Sequence, residues 1–238
     1  VGSSTVAAQL ARLLSEELGM HLGLVDLNPL AGALDLYLGQ QANSGFAQLL
    51  SANQAVDQLL IERAGQKLSE RLTLFKTISH DGWLDQAAIE RALQRLSPWF
   101  SALLWDLPSH QCYEPAGQTL LRQADDVLWV GSASVAGVRD IQRSLSLLGE
   151  GAGNCHWLIN AARGPGSVLP EELLRHTGLS VERVSWLAFD KGLHQAQELG
   201  KVPPAGRFMR SLRQAVQAWS GQPLKGRFDF LRRAKVAR

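Results

Sequence analysis

Val1-Gly2-Ser3-Ser4-Thr5 runs directly into a segment with apolar residues at Val6, Leu10, Leu13, Leu14 and Leu18, the spacing of an amphipathic helix. Glycine and small hydroxyl residues at a helix N-terminus are the ingredients of a phosphate cradle. The first-turn N–H groups have no intrahelical acceptor there, and the helix dipole favours negative charge. A phosphate-binding loop ends in Gly-Lys-Ser/Thr. Ser3 stands where that lysine would be, so the cation that reaches the β- and γ-phosphates is missing. The amide cradle of Gly2, Ser3, Ser4 and Thr5 remains, with the Ser4 hydroxyl able to ligate magnesium. The chemistry this segment offers is phosphate binding, without the lysine that would assist phosphoryl transfer.

Three further polar residues close apolar runs. Asp26 follows His21–Val25, Asp106 follows Phe100–Trp105, and Asn160 follows His156–Ile159. Each run reads as a short buried strand. In open parallel sheets, ligands bind beyond the carboxyl ends of the strands. These residues are therefore expected on one rim with Gly2–Thr5. A carboxylate after a strand is also a common turn or helix cap; it is the convergence of several on one loop that points to a site.

The elements that must position them follow from hydrophobic period. Helices are expected over Thr5–Leu18 (with Gly19 as the stop), Ser44–Leu50 (with Ser44 as N-cap), residues 55–71, Ala87–Leu96 before Pro98, Gln118–Gln123, Val135–Leu148, Pro170–His176 and Phe208–Trp219. Strands are expected at His21–Leu27, Leu72–Ile78, Phe100–Asp106, Asp126–Val130, His156–Asn160 and Val184–Ala188. Strands rich in Val, Leu and Trp alternating with helices give an α/β fold: a doubly wound, mostly parallel sheet with helices on both faces. Trp105, Trp129, Trp157 and Trp186 each fall on such a strand and are read as core rather than ligand surface. The Gly/Pro stretches at 149–153 and 163–166 have the length of loops rather than domain linkers.

At 238 residues, 45% hydrophobic and 19% charged, the chain is long enough for one sizeable α/β domain or two small ones. No apolar run spans a bilayer, and no signal peptide is visible. Cys112 and Cys155 have no metal-ligand spacing, and the six histidines are scattered, so a reduced, cytoplasmic protein is the plain reading. Residues 225–238 carry six basic side chains against Asp229, which leaves 18 basic and 21 acidic residues in the rest. The expected organisation is a domain over 1–221 and a basic tail over 222–238.

Read in order, the residues resemble a known class. The loop is followed by Val25-Asp26-Leu27-Asn28-Pro29-Leu30-Ala31-Gly32 with Asp35 and Leu38-Gly39 downstream. Then come Leu104-Trp105-Asp106-Leu107-Pro108, Ala124-Asp125-Asp126-Val127-Leu128 and Leu158-Ile159-Asn160. Along nearly the whole chain this resembles the MinD/ParA deviant-Walker ATPases, a P-loop NTPase class. The Gly-Ser-Ser-Thr-Val-Ala opening, Ser44-Gly45-Phe46-Ala47-Gln48-Leu49-Leu50 and the basic end are most similar to the pilus-assembly branch, TadZ and CpaE. The cellulose-synthesis ATPases of the BcsQ type are the alternative.

The resemblance implies ATP or ADP with Mg²⁺, wrapped by Gly2, Ser3, Ser4 and Thr5. Ser4 would be the direct magnesium ligand, Asp26 the carboxylate beside the γ-phosphate and Mg²⁺, and Asp106 the Walker B acid. Asn160, Phe189 and Asp190 would stand near the base. Two departures bear on catalysis. Ser3 replaces the lysine, and Asn28 replaces the second acid of the Asp-x-Asp pattern that positions the attacking water. Phosphoryl transfer depends on positioning and charge neutralisation, so hydrolysis is expected to be very weak or absent. The class's signature lysine, and the strand that should feed the loop, would lie before Val1.

The implied role is a localisation or assembly factor for a pilus secretion machine, acting as a nucleotide-dependent homodimer. A cellulose-synthesis (polysaccharide-export) or division-site factor with active hydrolysis shares the same motifs. The tail, with Phe228, Phe230 and Leu231 among cations, offers weak contact with the anionic inner membrane or is simply solvated. No base-reading motif supports nucleic acid. Arg207, Arg210 and Arg213 form a cationic helix face, by default solvated.

Overall fold

The computed structural model describes residues 2–29, 32–40, 45–51, 55–77, 85–149, 155–162, 167–201, 206–221 and 224. Val1, Ser44, Ile78 and the basic tail over 225–238 lie outside them, so the N-cap assigned to Ser44 and the roles of the tail do too.

Helix α1 (Ser3–Glu17) starts at Gly2 and ends where Gly19 turns left-handed at φ 70°. Strand β1 (Leu22–Asp26) is buried along its whole length. It lies between β3 (Leu72–Lys76) and β4 (Ala102–Asp106), parallel to both, and β2 (Gln66–Ser69) adds an antiparallel edge on β3. A second group of parallel strands runs β5 (Val127–Ser132), β6 (Cys155–Ala162), β7 (Val184–Ala188). The doubly wound, mostly parallel α/β reading is therefore the observed architecture.

Side-chain alternation sorts the core into layers. Leu22, Leu24, Leu72 and Leu74 of the first group, with Leu158 and Leu187 of the second, pack in one cluster with α1 and with α10 (Arg207–Ser220). On the opposite face, Val25, Phe75 and Phe100 meet Ile89, Ala92 and Leu96 of α5 (Gln86–Leu96). Trp157 and Ile159 meet Ile141 of α7 (Val135–Leu148) and Leu173 of α8 (Pro170–Thr177). Trp157 is fully buried and Trp129 stacks on it at 5.8 Å between ring centroids. Trp105, Trp129 and Trp186 are half-buried, so strand tryptophans are indeed packing residues.

β4 and β5 are each an edge of their hydrogen-bonded group, and both contribute half-buried side chains to the same cluster beneath α1 (Ala102 and Leu104; Leu128 and Val130). Helix α1 thus lies across the line where the two groups meet.

The sequence reading departs from the structure in places. Residues 55–71 are not one helix. Helix α4 (Gln58–Ala64), capped by Asp57 through Leu60 N–H at 2.7 Å, stops at Gly65, and the chain reverses into the β2–β3 hairpin. A Cβ on Gly65 would fall 2.5 Å from Thr73, so the strands need glycine there. The polar residues that read as one helical face are a capped turn and a solvated edge strand with Lys67 outward. Helix α6 (Pro115–Gln123) begins three residues before Gln118 and is preceded by a 3-10 turn at Ser109–Tyr113. Helices α2 (Leu34–Tyr37) and α3 (Phe46–Ser51) are short, and α9 (Lys191–Glu198) went unassigned from sequence.

Candidate phosphate-binding site

Gly2 sets the start of α1 by adopting φ 91°, a left-handed conformation open to glycine. Val6 N–H closes the first turn onto Gly2 O at 3.0 Å. Among the described residues no side chain caps the helix, so the Ser3, Ser4 and Thr5 amides are first-turn donors without an intrahelical acceptor. A Cβ on Gly2 would lie 2.2 Å from Asn160 Nδ2, which places the end of β6 directly against the loop. Gly2 and Asn160 are therefore neighbours, as strand-end reasoning expected.

Asp106 ends β4 beneath the same helix start and is 5% exposed. Burial pushes its pKa up, opposed by hydrogen bonds from the hydroxyls of Ser4 and Ser3. Both serine hydroxyls thus converge on the Asp106 carboxylate at the end of β4. Thr5 is turned elsewhere: its Oγ1 accepts from Gln197 Nε2 of α9 at 2.9 Å, tying α1 to α9.

Asp26 ends β1 in register with Asp106 and is completely buried. Its pKa is raised to about 6, first by burial and further by the charge of Asp106. The N–H groups of Asn28 and Leu34 and the Lys76 ammonium pull the other way. Asn28 N–H donates to Asp26 Oδ1 at 3.0 Å. Asp26 Oδ2 has no partner among the described residues and is sealed from solvent. Asn28 is thus tied to Asp26 through its backbone, in the loop that follows β1.

At the far end of the rim the picture changes. Phe189, 39% exposed, follows β7 and presents a ring to solvent. Asp190 caps α9 instead: its carboxylate accepts from Gly192 N–H at 2.9 Å, Leu193 N–H at 3.4 Å and Phe208 N–H at 3.2 Å. Burial raises its pKa, but these amides and that of Arg207 outweigh it and hold the carboxyl below its ordinary value. A Cβ on Gly206 would overlap this carboxylate, at 1.9 Å, so Asp190 locks the start of α10 to the end of β7.

Sequence reasoning missed Lys76. It ends β3 in register with Asp26, and its Nζ donates to Asp35 Oδ1 at 2.7 Å and to Gly32 O at 3.0 Å. The available signal was a lysine closing an otherwise apolar strand.

A magnesium–nucleotide fits these residues by three observations: an orphaned buried carboxylate oxygen on Asp26, two hydroxyls converging on Asp106, and a glycine cradle with no room for a side chain. Such a ligand would lie at the α1 N-terminus, with Gly2–Thr5 amides on phosphate and Ser4, Asp26 and Asp106 as the oxygen donors a hard cation takes.

No protein-family model matches the chain, and no curated protein matches it. Solved structures do. A ParA family ATPase from Chlorobium tepidum TLS superposes with a TM-score of 0.77 at 20% identity, over 91% of this chain and 92% of its own. MinD of Pyrococcus horikoshii OT3, solved with Mg-ADP, gives 0.70 at 15% identity, over 91% and 89%. The MinC:MinD complex of Aquifex aeolicus gives 0.68 at 20% identity, over 95% and 94%. The fold is that of the MinD/ParA P-loop NTPases.

Proposed function

We propose that the chain is a MinD/ParA-like nucleotide-binding protein that holds Mg-ATP or Mg-ADP at the start of α1 and hydrolyses it very weakly or not at all. The observation that carries this is Asp26 Oδ2, buried and without a hydrogen-bond partner among the described residues, next to Asp106 and its two serines. A buried carboxylate oxygen without a donor is costly unless a cation or ligand completes it. When bound, magnesium would neutralise phosphate charge. The chain's own residues supply amides for the phosphates, hydroxyl and carboxylate oxygens for the cation, and a half-exposed aromatic, Phe189, at the base end of the rim. What they lack is the lysine at Ser3 and the acid at Asn28, and both absences weaken the stabilisation of transferring charge.

In this reading nucleotide acts as a dimerisation switch, favouring the state that binds it better. The role is a localisation or assembly factor, and the pilus secretion machine is the preferred setting because of the Gly-Ser-Ser-Thr opening and the basic end of the sequence. Polysaccharide export and division-site placement share the fold. MinD in complex with MinC shows a protein of this fold docking a partner protein. Among the described residues no helix is long and apolar enough to cross a membrane, so membrane contact would fall to the tail.

Titration calorimetry with Mg-ATP and Mg-ADP, with light scattering on the same samples, tests this. Micromolar ATP binding with dimer formation and no phosphate release is expected. No binding up to millimolar nucleotide would overturn it.

A further inference from the structure

Lys76, Asp26 and Asp106 occupy matching positions on three neighbouring strands, β3, β1 and β4. In-register residues of parallel strands point to the same face, and strands lie about 4.8 Å apart, so the three form one row roughly 10 Å long. That face is the one covered by α1, because Leu74, Leu24 and Leu104, two residues earlier on each strand, all pack against its cluster. The Lys76 ammonium turns toward the segment after β1, to Gly32 O and Asp35 Oδ1. Side-chain exposures of 18% for Lys76 and 13% for Asp35 mean that this pair is largely out of water. Gly32 in turn lies over Asp26: a Cβ there would fall 2.4 Å from Asp26 Oδ2 and 2.6 Å from Asn28 O.

We infer that Lys76 is a positioning residue of the phosphate site. Through Gly32 and Asp35 it clamps the segment after β1 onto the Asp26 carboxylate, and it places a fixed positive charge beside that carboxylate in a site that has serine at position 3. The ligand arm of this inference rests on the nucleotide reading above; the clamp itself does not. The same ion pair ties the end of β3 to Asp35 in the first turn of α2, so a purely structural role is the competing account. The two differ in what they do to magnesium. A clamp on the cation's carboxylate alters the gain in nucleotide affinity that magnesium provides. A structural ion pair alters only stability.

The experiment compares wild type with Lys76→Met, Lys76→Arg and Asp35→Asn. ATP is titrated with Mg²⁺ and with EDTA, melting is measured, and amide hydrogen exchange is followed on nucleotide-free protein. Partners that orient a metal's ligands are worth about 10- to 100-fold in metal affinity. Lys76→Met and Asp35→Asn are expected to lose that much of the magnesium-dependent affinity, with little change in EDTA. Lys76→Arg should retain most of it. The Asn28 and Gly32 amides should exchange faster in Lys76→Met. Wild-type-like Mg-ATP binding by Lys76→Met would overturn the inference. Equal losses with magnesium and EDTA, tracking a lower Tm, would also overturn it in favour of the structural role. If wild type itself binds no ATP, the nucleotide reading fails, and the exchange data alone decide the clamp: unchanged exchange in Lys76→Met removes it. Asp35→Asn and Lys76→Arg, close in size to the originals, keep the test open if Lys76→Met does not fold.

Discussion

Asp26 and Asp106 stand opposite each other in register on β1 and β4, both buried, and the charge of Asp106 makes the Asp26 proton harder to remove. Two carboxylates placed this way beneath a helix start raise the energy of the empty site, because each disfavours ionisation of the other and burial disfavours both. The strain is relieved by protons or by a divalent cation. Without a ligand, the fold is asked to bury charge for which it supplies no full set of donors.

That relation sets a pH dependence. An ordinary aspartate titrates at 3.8, whereas Asp26 in the folded protein titrates at about 6. Between these values the folded state keeps a proton that the unfolded chain has released. Stability contributed by this group is therefore complete below the lower value and is lost as pH rises to about 6, then stays flat. The shift corresponds to about 3 kcal/mol. Denaturant titration of nucleotide-free Asp26→Asn between pH 4 and 7.5 should show that this part of the pH slope is gone and that the variant is the more stable protein at pH 7. Mg-ATP affinity of the variant should collapse. A slope identical to wild type would show that Asp26 is not the group responsible.

Gly2→Ala probes the cradle. The substitution asks a side chain to adopt φ 91° and to displace Asn160 Nδ2 from 2.2 Å. Strained left-handed backbone costs about 1–3 kcal/mol for a non-glycine residue. The expected result is a loss of roughly 1–2 kcal/mol in stability on that scale, with nucleotide binding abolished because the first-turn amides shift. Retained binding with the same heat would place the phosphates elsewhere.

Asp190 separates a cap from a base contact. Its carboxylate is occupied by the amides of Gly192, Leu193 and Phe208. Asp190→Asn keeps the acceptor for Gly192 and Leu193 but sets an NH₂ group against the Phe208 N–H, so it should cost part of what Asp190→Ala costs by uncapping α9 and freeing the start of α10, about 1–2 kcal/mol. Thermal melts give the stabilities, and competition between ATP and GTP gives the selectivity. Changed selectivity in Asp190→Asn at unchanged Tm would assign it a direct role at the base.

What the sequence made legible is what local period and strand ends determine. Asp26, Asp106 and Asn160 were placed on one rim because each closes an apolar run, and Val135–Leu148 was a helix by its spacing alone. What stayed hidden depends on neighbours distant in sequence. Lys76 looks like a solvated strand end until β3 is set beside β1 and its ammonium meets Asp35, 41 residues away. Residues 55–71 read as one helix because a capped turn and an edge strand together mimic a polar face. Only the packing of Gly65 against Thr73 and Phe75 shows where the helix must end. Asp190 was read through its resemblance, while its geometry makes it a cap, a use that depends on Phe208 from the next helix.

Ser3→Lys restores a cation at the N-terminus of α1, next to Asp106, to which the Ser3 hydroxyl now donates. A charge-assisted bond to phosphate is worth about 1.5–3 kcal/mol, so ATP affinity should rise roughly 10- to 100-fold by that measure. Hydrolysis should remain slow, because Asn28 still offers no acid to position water. Asn28→Asp alone adds a charge beside the buried Asp26 and should weaken ATP binding without producing turnover. Only the double variant, with the added lysine offsetting the added carboxylate, is expected to release phosphate at a measurable rate. Single-turnover phosphate release for all four proteins decides it. Fast turnover by Ser3→Lys alone would show that the lysine was the sole missing part and that Asn28 is adequate as it stands.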